Sequence, residues 1–313
     1  MPGRCGLTDL SVKIGKVKFK NPVLVASGTF GYGEEYSEFF DLNKLGGVIT
    51  KSITLDPREG NPPPRTCETP SGMLNAIGLA NVGVREFIHE KLPFLKKLDT
   101  RLIVNVAGST VEEYVKVVKK LNRIKGIDML EINISCPNVK QGGIQFCATE
   151  ESAHLIIKTI RENTSYPLMA KLSPNVTDIT RIALAVQEAG CDAISLINTL
   201  VGMAIDSETR KPLLANITGG LSGPAIKPVA LAMVWQVAQK VNIPIVGIGG
   251  IMNTKDALEF LLAGASMIQV GTANFVDPKV TVKIIDELKD YCENHKIKSI
   301  KEIVGKLETK SIS

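Results

Sequence analysis

A thiol directly follows a run of apolar residues in the segment Asn-Ile-Ser-Cys-Pro-Asn (133–138). A lone cysteine is usually a small buried apolar side chain, but a thiol that faces a ligand from a loop can act as a base or a nucleophile. His89 and His154 fall in predicted helices and His295 near the C-terminal end, so we expect no imidazole beside Cys136. The residues alone leave two interpretations of Cys136 open, a buried apolar side chain and a proton acceptor.

Polar side chains or glycines end each of eight apolar stretches that we predict to be strands. The predicted strands are residues 22–27, 46–52, 102–106, 129–134, 168–172, 193–198, 244–248 and 266–271. The polar residues at or just after their C-terminal ends include two lysines and three asparagines: Ser27, Lys51, Ser52, Asn105, Asn133, Lys171, Asn198 and Thr199. Buried lysine and asparagine side chains are unfavourable without partners. We therefore expect them to face a ligand that is rich in carbonyl and anionic groups.

Glycines end the last two predicted strands. Gly249 and Gly250 precede a predicted helix, and Gly271 is followed by the hydroxyl of Thr272. Such glycines also occur in ordinary turns between a strand and a helix. However, backbone N–H groups at a helix start attract phosphate, and α/β barrels often bind a phosphate after their seventh and eighth strands. We therefore predict a phosphate site here.

The elements that must position these groups alternate along the chain. Helical patterns follow the strands near residues 34–44, 82–98, 111–125, 150–164, 177–189, 226–240, 254–263 and 279–293. Near-continuous apolar strands that alternate with helices are typical of a parallel sheet covered by helices. We predict a (β/α)8 TIM barrel that forms one domain over residues 1–313, with an open doubly wound sheet as the alternative.

Additional segments flank and interrupt the predicted barrel. Residues 7–20 alternate apolar and polar side chains around Gly15, which predicts a β-hairpin below the barrel. The segment after residue 296 has helical spacing. The connections 53–81 and 199–225 are too long for simple turns, and unstructured segments of that length are usually binding loops or lids.

Composition restricts the class of protein. The 313 residues are 44% hydrophobic, 22% charged and 5% aromatic, with a formal net charge of +5. These values are typical of a soluble globular protein, and the sequence has neither the basic stripe nor the aromatic platform of a nucleic-acid-binding protein. Since no apolar run reaches about 18 residues, we expect no membrane segment. The six scattered cysteines predict a reduced, cytoplasmic protein with no bound metal or iron–sulfur cluster of its own.

Several segments together resemble those of dihydroorotate dehydrogenases. They are N-I-S-C-P-N (133–138), S-G-M-L-N-A-I-G-L (71–79), S-G-T (27–29), T-K-S (50–52), I-N-T (197–199) and the glycine segments 249–250 and 271–272. The resemblance is strongest to the class 1B, NAD-linked catalytic subunit and covers nearly the whole chain. It implies an FMN-containing (β/α)8 barrel that oxidises (S)-dihydroorotate to orotate in pyrimidine biosynthesis.

The resemblance also implies roles for individual residues. Cys136 would be the base that removes a proton from carbon 5 of dihydroorotate. The substrate-binding residues would be Lys51, Asn75, Ala76, Ile77, Gly78, Leu79, Asn133, Asn198 and Thr199. The FMN-binding residues would be Ser27, Lys51, Ser52, Asn105, Asn133, Lys171, Ile197, Gly223, Gly249, Gly250, Gly271 and Thr272.

The resemblance implies an electron-transfer partner as well. Class 1B enzymes pass electrons to NAD through a subunit that carries FAD and an iron–sulfur cluster. The similarity thus implies a homodimer joined by that subunit in a heterotetramer. Three alternatives stay open: a fumarate-linked class 1A enzyme, an FMN barrel like that of dihydropyrimidine dehydrogenase, and a phosphate-binding barrel enzyme without redox chemistry.

Overall fold

Eight parallel strands close into a barrel around the apolar centre of the molecule. The computed structural model describes residues 8–134, 140–141, 144–145 and 149–309. The barrel strands, numbered first to eighth below, are Val23–Val25, Gly47–Ile49, Arg101–Val106, Met129–Asn133, Leu168–Lys171, Ala193–Leu196, Ile245–Ile248 and Met267–Val270. Each strand pairs with the next in chain order, and the eighth pairs with the first. The prediction of a (β/α)8 barrel is therefore confirmed, and the open sheet is excluded.

Helices cover the outside of the barrel. The longer ones are Val111–Leu121, Glu150–Glu162, Ile179–Glu188, Lys227–Ala238, Thr254–Leu262 and Val280–Asn294. A continuous helical segment also runs through Gly83–Glu86, a π-helical turn Phe87–Lys91 and Leu92–Leu95, and a short helix spans Ala273–Val276. Each of these helices buries one apolar face against the strands, which is the packing that near-continuous apolar strands require.

Side-chain caps fix where four of these helices begin. The side chains of Thr110, Thr149, Asp178 and Asn253 each accept a hydrogen bond from a backbone N–H in the first helical turn. A cap of this kind satisfies one of the backbone donors that has no partner within the helix. These four residues follow the third, fourth, fifth and seventh strands, so they also determine the length of the connections on that side of the barrel.

Two helix predictions are wrong. Residues 34–44 contain two short 3-10 turns, Glu34–Tyr36 and Leu42–Lys44, because Asp41 has extended backbone and its side chain starts a new turn by capping Asn43. Between residues 297 and 309, the described part of the C-terminal segment has one helical turn, the 3-10 turn Ile300–Glu302. A further 3-10 turn is found at Pro224–Ile226.

A β-hairpin closes the N-terminal end of the barrel, as predicted. Val12–Ile14 pairs antiparallel with Val17–Phe19, and Gly15 in the turn has a φ of 53°. Its apolar side chains belong to the main core. Arg101, at the start of the third strand, donates from Nε to the carbonyl oxygen of Lys18. This contact places the hairpin at the end of the barrel opposite the polar strand ends.

The two long connections are not unstructured, contrary to expectation. Their strands Leu200–Met203, Thr218–Ser222, Gly72–Asn75 and Thr66–Thr69 form one antiparallel sheet in that spatial order. Smaller pairs join Ile205–Asp206 to Lys211–Pro212 and Lys140–Gln141 to Ile144–Gln145. Since the connections follow the second and sixth strands, the sheet lies on the C-terminal side of the barrel and joins two distant parts of the chain.

Gly247 provides a test of how tightly the helices pack on the barrel. A Cβ atom at this position in the seventh strand would lie 2.5 Å from Cδ1 of the buried Phe260. We expect Gly247→Ala to lower the free energy of unfolding by about 1–3 kcal/mol through this overlap. Phe260→Leu in the Gly247→Ala background should recover part of the loss, since leucine leaves more room. Urea unfolding followed by circular dichroism measures both, and an unchanged stability of Gly247→Ala would contradict the steric argument.

Candidate functional site

A buried lysine spans the C-terminal end of the barrel, which is called the barrel mouth below. Lys171 ends the fifth strand, is only 4% exposed, and donates from Nζ to Oγ of Ser27, which follows the first strand, at 3.2 Å. Among the described residues, no carboxylate lies within ion-pair distance of this ammonium group. A buried cation without a carboxylate is unfavourable unless an anionic or electron-rich ligand faces it. The contact confirms that side chains from opposite strands meet at this end.

A second lysine approaches the same mouth from the second strand. The backbone N–H of Lys51 bonds the carbonyl oxygen of Gly31 at 2.9 Å, which ties this residue to the turn after the first strand. Burial lowers the pKa of the Lys51 ammonium below its usual value, the positive charge of Arg65 lowers it further, and Glu35 acts in the opposite direction. Lys51 is thus a partly desolvated cation that an anionic group would stabilise. Ser52, which follows it, is buried.

Two asparagines from adjacent strands lie beside these lysines. Asn133 pairs in register with Lys171 and is buried, and Tyr114 on the neighbouring helix donates from its hydroxyl to the Asn133 carbonyl at 2.6 Å. Asn105 is fully buried in the third strand. Its Nδ2 donates to Glu131 at 2.6 Å, whereas its Oδ1 has no hydrogen-bond partner among the described residues. A buried carbonyl oxygen without a partner is unfavourable, and a ligand donor at this position would satisfy it.

The residues predicted to bind a phosphate meet at one side of the barrel mouth. A Cβ atom built on Gly250 would lie 2.8 Å from the carbonyl oxygen of Gly223, so only glycine permits this approach. Thr272 donates from Oγ1 to Oγ of Ser222 at 2.7 Å, which holds the end of the eighth strand against the same segment. Gly249 and Gly250 have φ angles of 132° and 70°, in the region that favours glycine. The structure therefore brings together three backbone segments that are far apart in sequence.

The residues that the resemblance connects with substrate lie on or beside the antiparallel sheet. Asn75 ends a strand of that sheet and donates from Nδ2 to the carbonyl oxygen of Gly220 at 3.3 Å. Thr199 packs against Gly220, because a Cβ there would lie 2.0 Å from Thr199 Oγ1. Asn198 bonds through its backbone N–H to Leu172 and accepts from the Thr199 N–H on Oδ1. Asn75 and Thr199 therefore both contact the strand Thr218–Ser222, and Asn198 is joined to Thr199.

The segment after Asn75 is held in an unusual backbone conformation. Ala76 is buried, and its carbonyl oxygen accepts a hydrogen bond from Asn61 Nδ2 at 2.9 Å. Asn61 also bonds Ile77 through its backbone. Gly78 has a φ of 75° and Leu79 one of 57°. A leucine in the left-handed region is strained, and such strain is common where a loop is shaped for a ligand.

The remaining residue predicted to bind the cofactor is Ile197. It is buried, and its backbone N–H donates to the carbonyl oxygen of Ile248.

Sequence reasoning missed a polar cluster beneath these residues. Glu131 is fully buried in the fourth strand. Its carboxylate accepts hydrogen bonds from Asn105 Nδ2, Ser195 Oγ and Gln269 Nε2 at 2.6, 2.8 and 2.8 Å. The signal was present, since Glu131 stands two residues before Asn133 in an otherwise apolar strand and therefore shares its inward face.

The predicted base, Cys136, lies outside the described residues. Three other cysteines are reduced. Burial raises the pKa of the Cys191 thiol far above its usual value and also raises the pKa of the Cys292 thiol, so neither thiol is readily ionised. Cys67 lies in the antiparallel sheet. Within the part of the chain that the structure describes, three or more metal-ligating side chains do not come together, and none of the helices is both long and apolar enough to cross a bilayer.

The family model and the similar proteins all indicate the same family. Residues 9–292 match the family model described as dihydroorotate dehydrogenase. A Bacteroides thetaiotaomicron protein named dihydroorotate dehydrogenase B (NAD(+)), catalytic subunit, is 57% identical over 302 residues, which is 96% of this chain and 100% of that protein. A Geotalea daltonii protein of the same name is 58% identical over 300 residues, covering 96% of this chain and 98% of that protein.

A solved structure shows a similar fold. The crystal structure of a dihydroorotate dehydrogenase from Eimeria tenella, in complex with ferulenol, has a TM-score of 0.78 against this chain at 25% identity. The match covers 95% of this chain and 88% of the other. The barrel and its connections are thus shared over nearly the whole length of both proteins.

The lowered pKa of Lys51 predicts a stability gain when the charge is removed. Because the pKa is lower in the folded protein than in the unfolded chain, the charge opposes folding at neutral pH, and this opposition is lost as the pH rises through the folded-state pKa. Lys51→Met should therefore stabilise the ligand-free protein at pH 7, by at most about 1 kcal/mol because solvent screens the group.

Thermal unfolding of the ligand-free protein at pH 7 and at alkaline pH measures this effect. The gain from Lys51→Met should shrink at the higher pH. Lys13→Met, at an exposed position of the hairpin, is the matched control and should change the midpoint little at either pH. A loss of stability in Lys51→Met at pH 7 would contradict the assignment of a desolvated charge.

Proposed function

Because this chain belongs to the dihydroorotate dehydrogenase family, we propose that it is the catalytic subunit of an FMN-dependent, NAD-linked enzyme that oxidises (S)-dihydroorotate to orotate in pyrimidine biosynthesis. The observation that carries this proposal is the identity of 55–58% with NAD-linked catalytic subunits over nearly the full length of both chains. We also propose that the whole chain is one domain, since a single apolar core includes residues from Leu10 to Ile303.

The residues at the barrel mouth fit FMN. Segments 223, 249–250 and 271–272 offer glycine backbone and a hydroxyl to a phosphate, next to a helix start. Lys171 supplies a buried positive charge, and Asn105 Oδ1 supplies an acceptor that has no other described partner. A ring with carbonyl and N–H groups at its edge, joined to a phosphate, would use all of these groups. The other proposed contacts with FMN are Ser27, Lys51, Ser52, Asn133 and Ile197.

The substrate site is proposed next to the flavin, beneath the antiparallel sheet. Lys51 is a desolvated cation, so the carboxylate of dihydroorotate is the substrate group that it would bind. The amides of Asn75, Asn133 and Asn198 match the N–H and C=O groups of the pyrimidine ring. The hydroxyl of Thr199 and the strained backbone of residues 76–79 complete the enclosure. These residues orient the ring and exclude water from it.

Cys136 is proposed as the base that takes the proton from carbon 5 of the substrate. When bound, FMN supplies a two-electron acceptor for the hydride from carbon 6. Lys171 would face the bound flavin with a positive charge and would stabilise negative charge on it. Cys136 comes three residues after the end of the fourth barrel strand. Burial makes the thiols of Cys191 and Cys292 weaker acids than an exposed thiol.

An electron-transfer partner completes the proposal. The relatives are named catalytic subunits of an NAD-linked enzyme, and a catalytic subunit implies a second one. We propose that the second chain carries FAD and an iron–sulfur cluster, that two copies of this chain form a homodimer, and that the assembly is a cytoplasmic heterotetramer. The sequence supports a separate NAD-reducing chain, because the first strand of this chain is not followed by a dinucleotide-binding glycine motif.

A substrate comparison tests the function. The FMN-loaded protein, mixed anaerobically with dihydroorotate, should lose its flavin absorbance within a single turnover, whereas dihydrouracil, which lacks the carboxylate, should react much more slowly. Protein purified without tags from its native source should also reduce NAD with dihydroorotate. A preference for dihydrouracil would reject the substrate, and a protein that cannot be loaded with FMN would reject the redox function.

Substitution of Cys136 tests the proposed base. Cys136→Ala should slow flavin reduction by dihydroorotate by about 10²- to 10⁴-fold, the usual contribution of a general base, while FMN stays bound. Cys136→Ser should keep part of the activity, shifted to higher pH because a hydroxyl is a weaker acid than a thiol. Stopped-flow absorbance measures both rates, with Cys67→Ala as the control that should leave them unchanged. A near-normal rate in Cys136→Ala would contradict the assignment.

A further inference from the structure

Glu131 is a buried carboxylate for which the proposed reaction has no use. It lies in the middle of the fourth strand with no exposed surface, and all three of its described hydrogen bonds come from neutral groups. No cation of the described residues lies within ion-pair distance of it. Burial of a carboxylate is costly even when it is hydrogen-bonded. A glutamine of nearly the same shape would avoid that cost, so the acidic side chain needs a separate reason.

The carboxylate determines how the amide of Asn105 is oriented. An ionised carboxylate only accepts hydrogen bonds, and an asparagine side chain has one donating and one accepting end. Glu131 Oε2 lies 2.6 Å from Asn105 Nδ2, so the reversed amide would place two acceptor oxygens against each other. The N–H₂ group of Asn105 must therefore face Glu131, and Oδ1 must face away from it.

The consequence is an acceptor that has no partner among the described residues. Asn105 Oδ1 has less than 1 Å² of exposed surface and no described hydrogen bond. Asn105 belongs to the inward face of its strand, and its neighbour in register is Glu131 itself. Leaving a buried acceptor unpaired is unfavourable. A ligand that supplies an N–H group to this position would remove the penalty, whereas a ligand carbonyl at the same position would be repelled.

We propose that Glu131 is a positioning residue of the flavin site, whose carboxylate fixes Asn105 so that Oδ1 accepts a hydrogen bond from the ring N–H of the flavin. This inference rests on the proposed FMN site. The oxidised flavin ring has a single N–H, at N3, and its other polar ring atoms are acceptors. Glu131 touches no ligand in this arrangement and acts through Asn105.

The test compares FMN with 3-methyl-FMN, in which a methyl group replaces the N3 hydrogen. Flavin fluorescence during titration of the ligand-free protein gives both dissociation constants. Wild type should bind 3-methyl-FMN at least about tenfold more weakly, as expected when a buried acceptor loses its donor. In Glu131→Gln, the new amide can donate to a reversed Asn105, so the ratio of the two constants should fall to about two or less.

A matched control separates this role from a general loss of stability. Ser195→Ala removes a donor from the other carboxylate oxygen of Glu131 and leaves the bond to Asn105 in place. Ser195→Ala should keep the wild-type ratio of the dissociation constants for 3-methyl-FMN and FMN. This should hold even if its unfolding midpoint falls as far as that of Glu131→Gln. A wild-type ratio near one, or an unchanged ratio in Glu131→Gln, would overturn the proposal.

A measurement on wild type covers the case in which Glu131→Gln does not fold. With FMN labelled with ¹⁵N at N3, the bound flavin should show an N3–H proton that is protected from exchange with water and shifted downfield. Rapid exchange of that proton would overturn the inference while leaving the proposed function intact. Failure of wild type to bind FMN at all would instead reject the proposed function.

Discussion

The register between the third, fourth and fifth strands determines which polar groups meet inside the barrel. Asn105 pairs with Glu131, and Asn133 pairs with Lys171. Since side chains on one face of a strand recur every second residue, Glu131 and Asn133 point inward from the same strand at successive levels. A slip of one residue would move both to the face that packs against the apolar sides of the helices. The closure of the barrel keeps this register fixed.

The polar interior conflicts with the stability of the barrel. Lys171 is a buried cation with a hydroxyl as its described partner, and burial lowers the pKa of Lys51. Asn105 Oδ1 has no partner within the described part of the chain. Each of these groups is less favourable in the ligand-free protein than an apolar side chain would be. The large apolar core below and around them supplies the free energy that offsets this. Groups that are unsatisfied in isolation are suited to ligand binding, because the ligand removes the penalty.

Much of the barrel could be predicted from the sequence because its signals are local. Eight short apolar runs alternate with amphipathic stretches, and the observed strands fall within or overlap those runs. The exceptions also have physical causes. The segment 34–44 is interrupted by the side-chain cap of Asp41, which periodicity does not show. The antiparallel sheet depends on pairing between residues near 72–75 and 218–222, and a pairing over such a distance leaves no pattern in either segment alone.

The parts of the candidate site that residue types indicate could be predicted from the sequence. The parts that depend on tertiary contacts could not. Lysine and asparagine at the ends of apolar strands indicate Lys51, Asn133 and Lys171 from the sequence alone. The link between Ser222 and Thr272 depends on tertiary structure alone. Glu131 had a sequence signal, an acidic residue within an apolar strand, but its importance is evident only from the three donors that surround it.

The strand Thr218–Ser222 contacts both halves of the site. At one end Ser222 accepts a hydrogen bond from Thr272 at the proposed phosphate site, and in its middle Gly220 accepts one from Asn75 in the segment proposed to bind substrate. A ligand that immobilises either end reduces the conformational entropy that remains for the other to lose. In the proposed assignment, the flavin and the pyrimidine would therefore be linked in their thermodynamics through this one strand.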